Sequence, residues 1–334
     1  ADKVFVVTGA GNGIGREVTL ELLRRGGRVA GVDLSADGLA ETVRLSGVRD
    51  RRITTYPMSV SDRAAVEALP DQVLADHGTV DGVLNIAGII QRFVHVEELS
   101  IEEIEKVMAV NFWGTLYMDK TFIPYLKKRP QAALLNVSSM GGLVPVPGQG
   151  AYGASKGAVK LLTETLYAEL RGTSVAVTVV FPGGVGTNIT GNSGVEVPNM
   201  DKVMASGKPP KTTAPDDAAR QIVDAVASGR PRLLIGSDAK MLDRLSRLSP
   251  TKAITTVEVK SDKAATVSQQ PTLFPDKVRS LNEITRASLN ILAEDLDNGN
   301  KVEVHQTMPV WLLARTSAPF ATYNPADGAW KDMS

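Results

Sequence analysis

Residues 3 to 33, KVFVVTGAGNGIGREVTLELLRRGGRVAGVD, decide the fold. The run VFVVT is apolar and rich in β-branched residues, as a buried strand must be, and a glycine-rich turn follows at once. Val18, Leu22 and Leu23 then recur at helical spacing, and a second strand ends on Asp33. This is a β-α-β unit. Gly9, Gly13 and Gly15 let the backbone turn tightly and approach a pyrophosphate, which lies at the positive end of the following helix. Asn12 and Ile14 stand among them as further cofactor contacts. Strand, helix and terminal acid all fall where a dinucleotide site needs them. Asp33 is placed to bind the adenosine ribose hydroxyls and to repel a 2′-phosphate, and positions 34 to 36 are Leu, Ser and Ala, so NAD is expected rather than NADP. Arg16, just after the turn, reads equally as a phosphate contact or as a solvent-facing residue.

The alternation continues outward from this unit. RRITTYPMSV predicts a third strand ending at Ser59 and Val60, and Ser61 and Asp62 can cap a helix that contains Pro70. VDGVLNIAG predicts a fourth strand, and Ser100 opens a helix over IEEIEKVMAVNFWGTLYMDKTFIPYLKK. Asn111 interrupts the apolar middle of that helix and is expected to mark a local kink that holds a water. AALLNVSS, VAVTVVFPGG and PRLLIG supply three more strands. The fold class is α/β, a Rossmann-like doubly wound parallel sheet of about seven strands with helices on both faces.

Chemistry is expected between Asn136 and Lys156, NVSSMGGLVPVPGQGAYGASK. Val159, Leu162, Leu166 and Leu170 mark a helix on which Tyr152 and Lys156, four apart, share one face. An ammonium beside a phenol favours the phenolate, so the Tyr152 pKa is expected to fall toward the working range of a general acid or base. Ser138 and Ser139 lie at the carboxyl end of a strand, where ligands bind in such sheets, and Ser139 is the better placed to hydrogen-bond a reacting oxygen.

Balanced charge, 37 basic against 37 acidic residues, gives no electrostatic footprint for nucleic acid or an anionic membrane. Cysteine is absent, which excludes disulfides and thiolate metal sites. His77, His95 and His305 are far apart and are expected on the surface or in loops, with no metal. No long apolar run and no signal peptide is seen, so a soluble, cytoplasmic protein is expected.

Taken together, Thr8-Gly9-x-x-x-Gly13-x-Gly15, Asn85-Ile86-Ala87-Gly88, Asn111, Ser139, Tyr152-x-x-x-Lys156 and Pro182-Gly183 resemble the short-chain dehydrogenases/reductases, over residues 1 to about 250. The glycine spacing is similar to the dehydrogenase branch and unlike the sugar epimerases. The resemblance implies an NAD-dependent hydride-transfer enzyme acting on an alcohol or carbonyl. Tyr152 would be the acid/base, Ser139 would steady the substrate oxygen, and Lys156 would lower the phenol pKa and hold the nicotinamide ribose. Asn111 would anchor a water in a proton relay. Asn85, Ala87 and Gly88, with Ser59 and Val60, would line the adenosine side, and Pro182, Gly183, Val185 and Thr187 would cover the nicotinamide. Two positions depart from the family, Ser59 where many members carry an aspartate, and Ile86 where many carry a second asparagine. Homodimers or homotetramers are usual in the family. A catalytically silent dinucleotide-binding scaffold is the alternative, disfavoured by the complete Asn, Ser, Tyr and Lys set. Ile89, Ile90, Met140, Leu143, Val144 and Val146 form an apolar wall that suits a hydrophobic secondary alcohol or ketone, or simply packs in the core.

The resemblance leaves the C-terminal residues unexplained. Residues 251–276 read as a linker containing Pro271 and Pro275, and 277–334 as an α-β-β extension. Its helix is expected over 278–299, its strands over KVEVHQ and PVWLLAR, with a turn-rich end holding Phe320, Tyr323 and Trp330. A unit this small has a marginal core, so it is expected to lean on the catalytic domain or a neighbouring subunit, the alternative being a small independent fused module.

Overall fold

Five consecutive buried residues form β1 (Val4–Thr8), the centre of the sheet. In this computed structural model the described residues are 2–48, 50–195 and 212–254, together with the backbone of 321–324 and 329–332. Asn12 caps α1 (Gly13–Arg24), its side chain accepting from Gly13 N–H at 2.6 Å, and β2 (Arg28–Asp33) returns parallel to β1. Ser35 and Asp62 cap α2 (Ala36–Ser46) and α3 (Arg63–His77) in the same way, with β3 (Ile53–Pro57) between them.

After β4 (Gly82–Asn85), Ser100 caps α4 (Ile101–Met108), which runs through a π-helical segment, Ala109–Gly114, into α5 (Thr115–Leu126). The kink expected at Asn111 is therefore a π segment. Then come β5 (Ala132–Val137), α6 (Gly150–Glu169), β6 (Val175–Pro182), the short α7 (Ile189–Asn192), α8 (Pro215–Ser228), β7 (Arg232–Ile235) and α9 (Ser237–Leu248).

The sheet has seven parallel strands in the order β3-β2-β1-β4-β5-β6-β7. One face packs on Val66, Leu69, Phe122 and Leu166, and the other on Val18, Leu22, Ile222 and Val223. Strand order reverses between β1 and β4, which opens a crevice at the carboxyl ends of the strands. Among the described residues no helix is long and apolar enough to cross a membrane.

Two details differ from the sequence reading. β3 ends at Pro57, because the Ser59 and Ser61 hydroxyls bond each other at 2.7 Å and Asp62 N–H bonds Ser59 O, closing a turn. His77 is buried rather than superficial, because the edge strand offers it a polar partner in Thr54 Oγ1, 2.7 Å from Nε2; burial pushes its imidazole below the ordinary range. His95 is exposed, and His305 lies outside the described residues.

Residues 250–254 are helical, and Ala253 is buried with Val144 and Leu242. The chain divides into compact units of residues 1–264 and 265–334. In the second, β8 (Ala321–Asn324) and β9 (Ala329–Asp332) pair antiparallel, with Tyr323 opposite Trp330 in register. The end expected to be turn-rich thus contains a hairpin. The helix expected over 278–299, both strand-like runs and Phe320 lie outside the described residues.

Candidate active site

The crevice begins at the turn between β1 and α1. Gly9 has a φ of 73°, and a Cβ there would lie 3.0 Å from Ala87 N; a Cβ on Gly15 would lie 2.1 Å from Gly9 O. Thr8 Oγ1 accepts from Ile86 N and Ala87 N, which holds the end of β4 against this turn. Asp33 sits at the end of β2, Oδ2 accepting from Gly11 N–H and Oδ1 from Ser35 N–H, both at 2.9 Å. Arg16 is half-buried rather than solvent-facing: its guanidinium bonds Gly11 O, Gly38 O and Thr42 Oγ1, tying the turn to α2. A dinucleotide fits here, since each Asp33 oxygen keeps a lone pair for a ribose hydroxyl beside the glycine turn that opens α1.

On the adenosine side three of the expected side chains are engaged with the protein itself. Asn85 is buried, and its Nδ2 donates to Asp119 Oδ1 and Asn136 Oδ1, both at 2.8 Å. Its carboxamide therefore faces the interior, which leaves the main chain as the part of Asn85 open to the crevice. Asn136 Nδ2 donates to Asp119 Oδ2 at 2.8 Å, and burial pushes the Asp119 carboxyl up to about 8. Val60 likewise turns inward, within 2.7 Å of where a Cβ on Gly114 would stand, and Ser59 is engaged with Ser61.

At the centre, Gly88, Asn111 and Lys156 converge: a Cβ on Gly88 would lie 3.1 Å from Lys156 Nζ and 3.3 Å from Asn111 Oδ1. Asn111 uses its whole amide, Oδ1 accepting from Ile89 N–H at 2.9 Å while Nδ2 donates to Ile89 O at 3.0 Å and to Ser155 Oγ at 2.9 Å. Ser155 Oγ donates to Tyr152 O at 2.7 Å. Lys156 Nζ donates to Val137 O at 3.0 Å and lies 5.9 Å from the centre of the Tyr152 ring. Ser138 is committed to Lys156 O at 2.7 Å, which leaves Ser139, close enough for its hydroxyl to act on the Tyr152 phenol, as the serine facing it.

The electrostatics run against the sequence reading of Tyr152. Burial pushes the phenol up from its ordinary value, and the Ser139 hydroxyl pulls it only partly back. Lys156 stands beside the ring but is itself buried, and burial pushes its ammonium down to about 8.

The far wall is the turn after β6. Asp238, in the first turn of α9, accepts from Gly184 N–H at 2.7 Å, and Gly184 and Gly186 bond the main chain of Thr213. This fixes the backbone around Pro182, Gly183 and Val185. Thr187 lies 3.4 Å from where a Cβ on Gly13 would stand, Asn12 Nδ2 donates to Asn192 Oδ1 at 3.0 Å, and Ile90 N–H donates to Ser193 Oγ at 3.1 Å. The segment after β6 thus crosses the crevice to the first turn. A cavity of about 240 Å³ lies alongside, lined by Leu143, Val144 and Val146 with Gly150 and Gly153; Met140 and Leu143 also pack against Leu242, so part of the expected apolar wall is core. Among the described residues no group of His, Cys, Asp and Glu could hold a metal.

Sequence reasoning missed Asp119, Ser155, Asp238 and Gln91. Of these only Gln91, one polar residue after the apolar run IAGII, carried a local signal.

Comparison with known proteins agrees with the geometry. Residues 3–197 match the family model described as short chain dehydrogenase. SadH of Mycobacterium tuberculosis, named as an oxidoreductase, is 38% identical over 250 residues, 74% of this chain and 90% of that protein. The 1-deoxy-11-beta-hydroxypentalenate dehydrogenase of Streptomyces avermitilis is 32% identical over 238 residues, 70% of this chain and 85% of that one. A crystal structure of a short-chain dehydrogenase/reductase from Burkholderia phymatum in complex with NAD superposes with a TM-score of 0.67 at 27% identity, covering 80% of this chain and 98% of that one.

Proposed function

The chain belongs to the short-chain dehydrogenase/reductase family, and we propose that it moves a hydride between NAD(H) and a hydrophobic secondary alcohol or its ketone. The observation that carries this reading is the convergence of Tyr152, Lys156, Ser139 and Asn111 at the carboxyl ends of β4 and β5. The NAD-bound Burkholderia relative and the relative named as a dehydrogenase of a hydroxylated compound support it.

Gly9 to Gly15 and Asp33 would hold the adenosine diphosphate half of NAD, and Lys156 Nζ, with donors left beyond its bond to Val137 O, would hold the nicotinamide ribose. NAD supplies the hydride acceptor when bound. Tyr152 takes the substrate hydroxyl proton in oxidation and returns one in reduction, and Ser139 Oγ holds the substrate oxygen beside it. Oxidation needs the deprotonated phenol, so its rate rises with pH. Because burial raises the Tyr152 pKa, that rise falls on the alkaline side of neutrality.

Tyr152→Phe removes the titrating hydroxyl and little else. Steady-state rates on a panel of secondary alcohols and ketones should fall about 10²- to 10⁴-fold, with NAD affinity nearly kept. Retained turnover in the variant would remove Tyr152 from the role, and an inactive wild-type chain that binds NAD would favour the silent scaffold.

A further inference from the structure

Tyr152 is the third residue of α6, so its N–H is one of the donors that a helix leaves unpaired at its start. The residue that should cap it does not: Gln149 makes no side-chain capping bond. The acceptor comes instead from another part of the chain. Gln91, only 2% exposed, places its Oε1 2.8 Å from Tyr152 N, and its Nε2 donates to Gly148 O at 3.2 Å. Gln149 answers by donating its Nε2 to Gln91 O at 3.3 Å.

The other end of the same residue is held as well. Tyr152 O accepts from Ser155 Oγ, which in turn accepts from Asn111, and Asn111 clamps the main chain of Ile89, two residues before Gln91. The segment 89–91 thus fixes both the N–H and the C=O of Tyr152, one directly and one through Asn111 and Ser155.

We propose that Gln91 is a positioning residue that sets where the Tyr152 phenol stands relative to Ser139 and Lys156. This rests on Tyr152 being the acid/base of the reaction. Gln91 touches no reacting atom; it acts through the first turn of α6. A misplacement of about 1 Å at a reacting group is enough to cost on the order of 10²-fold in rate. The required chemistry is an acceptor for the Tyr152 N–H. A glutamate at position 91 keeps that acceptor and its charge is favoured at a helix N-terminus, which offsets the loss of the bond to Gly148 O and the repulsion of its second oxygen there.

The test compares Gln91→Met, which keeps size and loses both hydrogen bonds, with Gln91→Glu, in the full chain. Gln91→Met should lower kcat about 10- to 50-fold and shift the pH midpoint of alcohol oxidation, while the NAD dissociation constant and the number of NAD sites stay at wild-type values. Gln91→Glu should recover most of kcat and the wild-type midpoint. In a Tyr152→Phe background, Gln91→Met should cost nothing further. Gln91→Asn, whose amide is too short to reach, carries the same expectation as Gln91→Met if the latter does not fold. The proposal is overturned if Gln91→Met keeps the wild-type kcat and midpoint, if Gln91→Glu is as damaged as Gln91→Met, or if neither Gln91→Met nor Gln91→Asn folds. If Tyr152→Phe itself keeps its turnover, the functional reading fails first, and the Gln91 proposal falls with it.

Discussion

The turn after β1 and the turn after β6 meet over the strand ends, with Asn12 bonded to Asn192, yet their glycines answer to different neighbours. In the first turn, a Cβ on Gly15 would stand 2.1 Å from the carbonyl oxygen of Gly9, backbone against backbone. In the second, a Cβ on Gly183 would stand 2.1 Å from Asp238 Oδ1 and 2.4 Å from both Oδ2 and Cγ. That carboxylate comes from α9 and is held there by Gly184 N–H. Gly15 is a requirement of the chain itself, which no distant side chain can relax. Gly183 is one half of a pair.

The largest effect should therefore come from Gly15→Ala. Overpacking costs about 3 kcal/mol at the upper end of its usual range, about a 100-fold loss of NAD affinity, or a chain that does not fold. Equilibrium NAD titration with a thermal melt checks this, and no truncation elsewhere should restore binding. Gly183→Ala should cost somewhat less, about 10- to 30-fold in NAD affinity, and Asp238→Ala about as much through the lost charged hydrogen bond. The double variant should bind better than the sum of the two losses predicts, with a coupling of about 1 kcal/mol or more. Additive losses would break the comparison, because Gly183 would then owe its place to something other than Asp238.

This difference also explains what could be read in advance. The first turn was legible because strand, glycines, helix and Asp33 are contiguous and each carries its reason locally. Tyr152 and Lys156 were legible for the same cause, being four apart on one helix. Asp238 was not, since only the folded chain brings it to Gly184. Nor was Asp119: it shares the inward face of α5 with Thr115, Phe122 and Leu126, but its partners Asn85 and Asn136 lie on two other elements that only the fold brings to it. The direction of the Tyr152 pKa could not be read either, because it depends on burial rather than on the spacing to Lys156.

Cofactor choice sharpens the first turn alone. Asp33→Ser with Leu34→Arg removes the carboxylate that opposes a 2′-phosphate and adds a bidentate partner for it. Leu34 is 77% exposed, so the arginine costs little packing. The ratio of NADP to NAD specificity should rise about 10-fold or more, or about 1.4 kcal/mol, measured as kcat/KM for each. An unmodified chain that already prefers NADP would show that Asp33 does not set the choice.

The smallest effect at the crevice should come from Asp119, which lies beneath the strands between the two turns and ties Asn85 to Asn136. Its folded-state pKa is raised to about 8 by burial, far above the ordinary carboxylate value. Between about pH 4 and pH 8 the folded chain then holds a proton that the unfolded chain has lost. The stabilisation is full at low pH and is lost as pH rises through about 8, at no more than about 1.4 kcal/mol per pH unit. Asp119→Asn has no proton to lose, and Asn85 Oδ1, which lacks a partner, can turn to accept from the new amide. Denaturant unfolding at pH 5 and pH 8.5 should show the wild-type chain losing stability relative to Asp119→Asn at the higher pH. NAD affinity should stay nearly the same, because Asp119 is bonded to Asn85 and Asn136 inside the sheet rather than to either turn. An equal stability difference at both pH values would mean that Asp119 stays charged, its two asparagine donors outweighing its burial.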